Sequence, residues 1–490
     1  MSDAVYSSEQ LAAPAWSPPR GAAAQSPLQR LLLEQRRAFE GERFPDVAIR
    51  QDRLRRLHRL VTEREEAWVD ALAADFGHRS RHETRLAECY IVAAAARHAL
   101  RHVGRWMQPR RVATPLHLLP ARSLLVRQPV GVVGILSPWN YPLQLALAPV
   151  VGALAAGNRV MLKPSELTPS VSALLAPRVA ELFREDELAV VQGDASVGAA
   201  FSALPFDHLL FTGSTAVGRE VARAAAANLT PVTLELGGKS PALFDVGADL
   251  GAAASRLATG KLLNAGQTCI APDYALVPAG DADALVAALR VAVARLYPGL
   301  PDNDDYSGIV TERHHRRLQS LLDDAEGKGA HVIPLAPSAP SRARTFVPTL
   351  VRGVHDGMKI MQEEIFGPIL PIETYERLEE AIERINERPR PLAFYYFGTD
   401  ATRRRRVLQQ TIGGGVTVND TMWHFAHEGL PFGGIGASGT GAYHGERGFL
   451  TFTHEKPVFV QRRVAFTRLL QPPYGATFDK VLWLLRKLNA

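Results

Sequence analysis

From Pro27 to Met107 apolar residues return at steps of three and four, as in LQRLLLEQRRAF, LRRLHRLVTEREEAWVDALAADFG and ETRLAECYIVAAAARHALRHVGRW. That period predicts three helices. After Pro120 the pattern changes to short, β-branched apolar runs, VGVVGIL, NRVMLK, LAVVQG, HLLFTG and VTLELGG, each closed by a turn that leads to another element. The alternation predicts an α/β fold with a parallel sheet and crossover helices. A second α/β half starts near Pro241, with helical stretches such as ADALVAALRVAVARLY and RLEEAIERINER, and ends in the glycine-rich LPFGGIGASGTGAYHGERG. Glycines that dense predict close approach of the backbone to a ligand or to another chain.

Between Arg127 and Arg159 no residue is charged, a length that could cross a bilayer. Prolines, Asn140 and glycines divide it, so it reads as a strand, an SPWNYP turn and a buried helix. With 490 residues, 46% of them hydrophobic, the chain is long enough for two or three domains. The 56 basic and 50 acidic residues leave a net charge of +6, without the dense basic face that nucleic-acid binding needs. The RRRR run at 403–406 reads as a solvated helical turn. Two cysteines, Cys89 and Cys269, make no disulfide framework and favour a reducing compartment, the cytoplasm by default. Cys89 falls inside the third helix and reads as a packed core thiol.

TLELGGKS, from Thr233 to Ser240, ends like a phosphate-binding loop, but Thr233 stands where that loop needs a glycine. Lys239 therefore reads as structural, and the weight falls on Glu235 at the strand end. FTGSTAVGREVARAAA places Gly213, Ser214 and Gly218 at a strand-to-helix turn, where free N–H groups suit a pyrophosphate. In GQTC, Cys269 follows a helix-to-turn transition among small neighbours. Asn140 offers an amide at another strand end. Ligands bind beyond the carboxyl ends of parallel strands, which is where Glu235, Asn140 and Ser214 converge. A nucleophile, a base, an oxyanion donor and a dinucleotide cradle define a reaction class. His424 and His427 of HFAH lack a third ligand at a sensible spacing, so no metal site is expected.

PWNYP, KPSE, FTGS, LELGGKS, GQTC, EEIFGP and PFGGIGASG occur in the order and spacing of the NAD(P)-dependent aldehyde dehydrogenase superfamily, which the chain resembles from about Pro27 to Lys456. The ending GAYHGERGFLTFTHEK and the APDY after Cys269 resemble its class 3 branch, coniferyl aldehyde dehydrogenases above all. The resemblance implies a Rossmann-like cofactor domain, a second α/β catalytic domain and a small β oligomerisation arm. It implies Cys269 as nucleophile, Asn140 with the Cys269 N–H as oxyanion donors, and Glu235 as base for hydrolysis of a thioester. For the cofactor it implies Trp139, Lys163, Ser165, Glu166, Gly213, Ser214, Gly218, Leu236, Glu364 and Phe366. Glu166 should repel a 2′-phosphate, favouring NAD, with NADP the alternative. Glu235 argues against a CoA-acylating relative, and the intact catalytic positions against an idle binding protein on the same fold. Trp423 and Phe425 are expected to wall the substrate tunnel.

These readings divide the chain into a disordered tail (1–25), a cofactor domain (26–118 and 137–238), a catalytic domain (239–454) and an arm (119–136 and 455–470). LHLLPARSLLVRQPV and EKPVFVQRRVAF read as extended edge strands that want a partner, and the resemblance implies a homodimer. Residues 471–490 end in FDKVLWLLRKLNA, an amphipathic helix that docks on its own protein or touches a membrane surface.

Overall fold

The computed structural model describes residues 26–336 and 341–488; the tail expected over 1–25 lies outside them. One sheet has six strands in the spatial order Gly439–Thr440, Val232–Glu235, His208–Thr212, Val132–Leu136, Arg159–Lys163 and Leu188–Val190. All are parallel except the first. Every residue of the three inner strands at 132–136, 159–163 and 208–212 is buried, which is why their centres are continuous apolar runs, with polar residues only at the ends of the last two. From Val132–Leu136 the chain builds outward to Arg159 and Leu188. It then returns to add His208–Thr212 on the opposite side. The crevice at that reversal opens between the loops after Leu136 and after Thr212, where Asn140 and Ser214 follow.

The second sheet has seven strands: His331–Pro334, Thr349–Arg352, Ile369–Tyr375, Tyr274–Pro278, Pro241–Phe244, Ala393–Phe397 and Gly415–Val418. Only His331–Pro334 runs antiparallel. A three-stranded antiparallel sheet forms the arm, with Arg122–Pro129 between Arg110–Val112 and Thr453–Val460. The arm's outer strands are mostly exposed.

Several expected boundaries move. Residues 132–136 belong to the cofactor sheet, not to the arm, because a fully buried strand pairs on both sides there. Arg110–Val112, expected in the cofactor domain, joins the arm through Leu124 and Leu125. Gly439–Thr440, expected in the catalytic domain, pairs with Leu234 and Glu235 at the edge of the cofactor sheet. The dense glycines there serve this approach of the chain to itself: Gly439 has φ +149°, and a Cβ on it would lie 2.2 Å from the Leu234 carbonyl oxygen.

The third helix is interrupted. It starts as α-helix at Arg81–Thr84, widens to a π-helix at Arg85–Tyr90 and resumes at Ile91–Trp106. Cys89 is buried within it, as expected, although its neighbour Leu86 is 53% exposed. The RRRR run opens the helix Ala401–Gln410, but Arg403 is not merely solvated: its guanidinium forks onto buried Asp245. The uncharged stretch after Arg127 forms the buried helix Gln144–Ala156. Among the described residues no helix is long and apolar enough to cross a membrane. The C-terminal helix spans Ala476–Leu488; Phe478, Val481, Leu482 and Leu485 are partly covered, while Trp483 and Leu484 are exposed.

Candidate active site

Three consecutive residues, Asn264, Ala265 and Gly266, adopt left-handed backbone with φ of 51°, 51° and 75°. Such a run is strained and persists only when its surroundings fix it. Gln267 supplies much of the restraint. Its Nε2 donates to the Asn264 and Gly308 carbonyls at 2.9 and 3.0 Å, and its Oε1 accepts from Val310 N at 2.9 Å. Thr268 shares a 2.8 Å hydrogen bond with the Tyr141 hydroxyl, and Tyr395 OH donates to the Ile270 carbonyl. The turn delivers Cys269 to a partly exposed position at the margin of the apolar core that includes Tyr395, Phe432 and Tyr443. Burial, with the Glu364 and Glu235 charges, pushes its thiol far up, so a base must take the proton when it reacts.

Glu235 ends its strand with 2% exposure, and neither carboxylate oxygen has a hydrogen-bond partner among the described residues. Burial alone raises its pKa well above the usual carboxylate range. Unpaired buried carboxylates are rare because they are costly, and burial makes this one more basic than an ordinary carboxylate. Tyr443, fully buried, is near enough for the Glu235 and Cys269 charges to push its phenol up further.

Asn140 is 3% exposed. Its Nδ2 donates one hydrogen to the Gln267 carbonyl at 3.1 Å, which fixes the amide and leaves the second N–H to point elsewhere. Asn140 is thus tied to the loop that bears Cys269. An amide fixed in this way, with one N–H still free, is a preorganised hydrogen-bond donor.

Lys163 ends the next strand of the cofactor sheet. It is 4% exposed, and its ammonium donates to the Pro164 carbonyl at 3.0 Å and to Glu166 at 3.3 Å. Ser165 is buried with its hydroxyl accepting from Leu167 N, while Glu166 reaches solvent. Ser214 caps the twelve-residue helix Thr215–Ala226 and is exposed at its N-terminus. Gly213 and Gly218 are demanded by the protein's own packing: a Cβ would lie 2.5 Å from the Phe211 ring and 2.6 Å from Leu236, respectively. Leu236 is buried, its N–H held by the Ser438 carbonyl at 3.0 Å. Trp139 packs edge-on against Phe366 at 5.3 Å and against His314 at 4.9 Å. Phe366 itself holds a left-handed φ of 52°.

Glu364 lies against Gly237, where a Cβ would fall 2.2 Å from its Oε2. Burial and the Asp273 charge push its carboxyl up to about 8. Lys239 stays clear of any phosphate role: it pairs with Asp273 and donates to the Ile360 and Glu363 carbonyls at 2.7 and 3.0 Å, securing the strand end of TLELGGKS to the segment that carries Glu364. His424 bonds Thr417 and His427 is exposed. Among the described residues no group of three His, Cys, Asp or Glu side chains is placed to hold a metal ion. Phe425 packs on Phe432 and His444 at 5.0 and 4.9 Å, whereas Trp423 is 61% exposed.

The sequence reading brought Cys269, Glu235 and Asn140 together and passed over His314, Tyr443 and the acidic face of the third helix. Two glutamates five apart in a mostly apolar helical run were the signal for the last.

The family model described as "Aldehyde dehydrogenase family" matches residues 22–458. A probable coniferyl aldehyde dehydrogenase of Pseudomonas aeruginosa is 50% identical over 94% of this chain and 96% of its own length. Among solved structures, a substrate-bound AldH of Staphylococcus aureus superposes with a TM-score of 0.90 at 38% identity, covering 94% of this chain and all of that one. AldA of P. syringae, an indole-3-acetaldehyde dehydrogenase solved with NAD+, gives a TM-score of 0.81 at 27% identity over 89% of each. The match in sequence and fold spans the turn at Asn140, the strand at Glu235 and the loop at Cys269, and the chain belongs to the aldehyde dehydrogenase family.

Proposed function

We propose that the chain oxidises an aromatic or other apolar aldehyde, of which coniferaldehyde is representative, to the carboxylic acid through a thioester on Cys269. The observation that carries this reading is the pairing of a partly exposed Cys269 with the buried, unpartnered carboxylate of Glu235. The thiol yields its proton to water in the site, and its thiolate sulfur attacks the carbonyl carbon, breaking the carbonyl π bond. The free N–H of Asn140 and the Cys269 N–H hold the resulting oxyanion. When bound, NAD(P)+ supplies the acceptor for the hydride whose loss leaves the thioester. Glu235 then takes a proton from water as it adds to the acyl carbon, and Cys269 departs as the acid is released.

The residues present fit a dinucleotide. Ser214 exposes a long helix's N-terminus at the topological switch, and Lys163 and Glu166 stand one strand beyond it. Glu166 beside Lys163 favours a ribose with free hydroxyls, hence NAD over NADP. Leu236, Glu364 and Phe366, with Trp139 against the Phe366 ring, would flank the nicotinamide end. Phe425, in the aromatic cluster with Phe432 and His444, is the better candidate for a tunnel wall than exposed Trp423. The exposed arm strands support a homodimer, and two unpaired cysteines suit a reducing compartment such as the cytoplasm. The half-covered C-terminal helix supports docking on the protein itself more than on a membrane surface.

The test is kcat/KM across coniferaldehyde, benzaldehyde and C4 to C12 alkanals with both nicotinamide cofactors. The aromatic aldehydes should rank highest and NAD should outperform NADP. A profile peaking on the long alkanals would replace the aromatic assignment, and no NADH from any aldehyde with Cys269 reduced would remove the mechanism.

A further inference from the structure

Behind the reacting residues lies a buried charged cluster that the proposed chemistry does not use. Arg79 and Glu88 are both fully buried and form an ion pair at 3.0 Å. Removing such charges from water is costly, so the pair is a poor choice for stability alone. Its contacts lead to the two catalytic loops. Arg79 donates to the Asn140 carbonyl oxygen at 3.1 Å, and the Asn264 side chain donates to the same oxygen at 2.9 Å. Glu88 Oε2 accepts from Leu143 N and Gln144 N at 3.1 and 2.7 Å, in the turn that follows Asn140. Glu83 Oε2 accepts from Asn264 N at 3.0 Å and from the Ser307 hydroxyl at 2.9 Å, holding the first residue of the strained turn before Cys269.

The π-helix explains how one segment reaches both loops. In an α-helix, residues five apart point about 140° away from each other. The i to i+5 pattern at Arg85–Tyr90 turns Glu88 back toward the face of Glu83. Both carboxylates then face the site from one rigid element.

We propose that Arg79, Glu83 and Glu88 are positioning residues that hold the Asn140 amide in line with the Cys269 loop, and so set how well the oxyanion is held without setting how well the aldehyde binds. This rests on the reading of Asn140 as an oxyanion donor. With its carbonyl anchored from two sides and its amide pinned to Gln267, a shift of the Asn140 turn carries the free N–H away from the developing charge. A donor displaced in this way loses much of what an absent one loses.

The experiment is a double-mutant cycle in the full chain with Arg79→Met, Arg79→Lys, Asn140→Ala and Arg79→Met/Asn140→Ala, reading kcat, aldehyde KM and NAD affinity. Arg79→Met should lower kcat by roughly 10- to 100-fold with KM and NAD affinity within about 3-fold of the parent, and Arg79→Lys should recover part of the loss. In the Asn140→Ala background the same substitution should cost less than about 3-fold, because its target is already gone. A full additive loss there, or an unchanged kcat in Arg79→Met, overturns the inference. Wild-type kcat in Asn140→Ala is a different failure, since it removes the oxyanion reading itself. If Arg79→Met does not fold, Glu83→Gln runs through the same cycle, with a loss of about 5-fold or more expected in the parent and its absorption in Asn140→Ala; no loss, or an additive one, overturns the inference equally.

Discussion

Glu235 shows how one residue can be legible in sequence and yet owe its chemistry to the fold. Its position at the end of VTLELGG, 34 residues before Cys269, was readable; the absence of any partner for its carboxylate was not, because the groups that enclose it come from distant segments. With its pKa raised by burial, the basic form is lost as pH falls through a range well above that of an ordinary carboxylate. The kcat for acid formation should therefore climb with pH across neutrality, and a flat profile from pH 6 to pH 9 would contradict the assignment. Glu235→Gln should keep a stoichiometric burst of NADH, which needs only acylation. Its steady-state rate should fall about 10²- to 10⁴-fold, as measured by rapid-quench and steady-state assays. Lys239 teaches the converse: its motif suggested phosphate, and only the placement of Asp273, Ile360 and Glu363 shows what it grips.

Elements were read well where the period was clean and poorly where it changed within a helix. The inner strands of the cofactor sheet announced themselves as apolar runs because both faces are covered. The π-helix did not, since one added residue per turn scarcely disturbs an apolar pattern already broad enough to tolerate it. The left-handed turn before Cys269 was largely hidden, since Asn264 and Gly266 are types that adopt such backbone in many settings and Ala265 between them gives no sign of it. At Gly266 a Cβ would meet the Gly367 carbonyl oxygen at 2.4 Å with φ at +75°. Gly266→Ala should thus destabilise the protein by about 1–3 kcal/mol and displace Cys269, seen as a lower melting temperature and a slower alkylation of that thiol. Normal stability together with normal alkylation would show that the turn is not under the restraint described.

At the scale of the molecule, the order of elements carried the two-sheet architecture, whereas the domain limits depended on pairings between segments far apart in sequence. Residues 132–136, 110–112 and 439–440 each changed allegiance for that reason. Charge buried across the fold also sets its tolerance of acid. His208 and His424 are pushed down to about 4 by burial. A histidine whose folded pKa is depressed adds stability that is complete above its unfolded value near 6.5 and disappears as pH falls toward 4. His208 alone should thereby cost about 2 kcal/mol by pH 5, so the melting temperature should drop between pH 7 and pH 5. His208→Gln should blunt that drop, and an unaltered slope in the variant would assign acid sensitivity elsewhere. If the arm pairs two copies, Val458→Lys with Phe459→Lys on its outer strand should yield a monomer by analytical ultracentrifugation.

The antiparallel pairing of Gly439–Thr440 with Leu234 and Glu235 bears on how the protein is made. A ribosome that has just produced Glu235 must add about two hundred more residues before the strand beside it exists. At 5–20 residues per second that is a delay of roughly 10–40 s. Throughout it the edge of the nascent cofactor sheet, with Glu235 at its end, stays open to water and to any other unpaired strand. Shielding by a chaperone matters most in that interval, and chains released before residue 440 leave the ribosome with the edge beside Glu235 still bare.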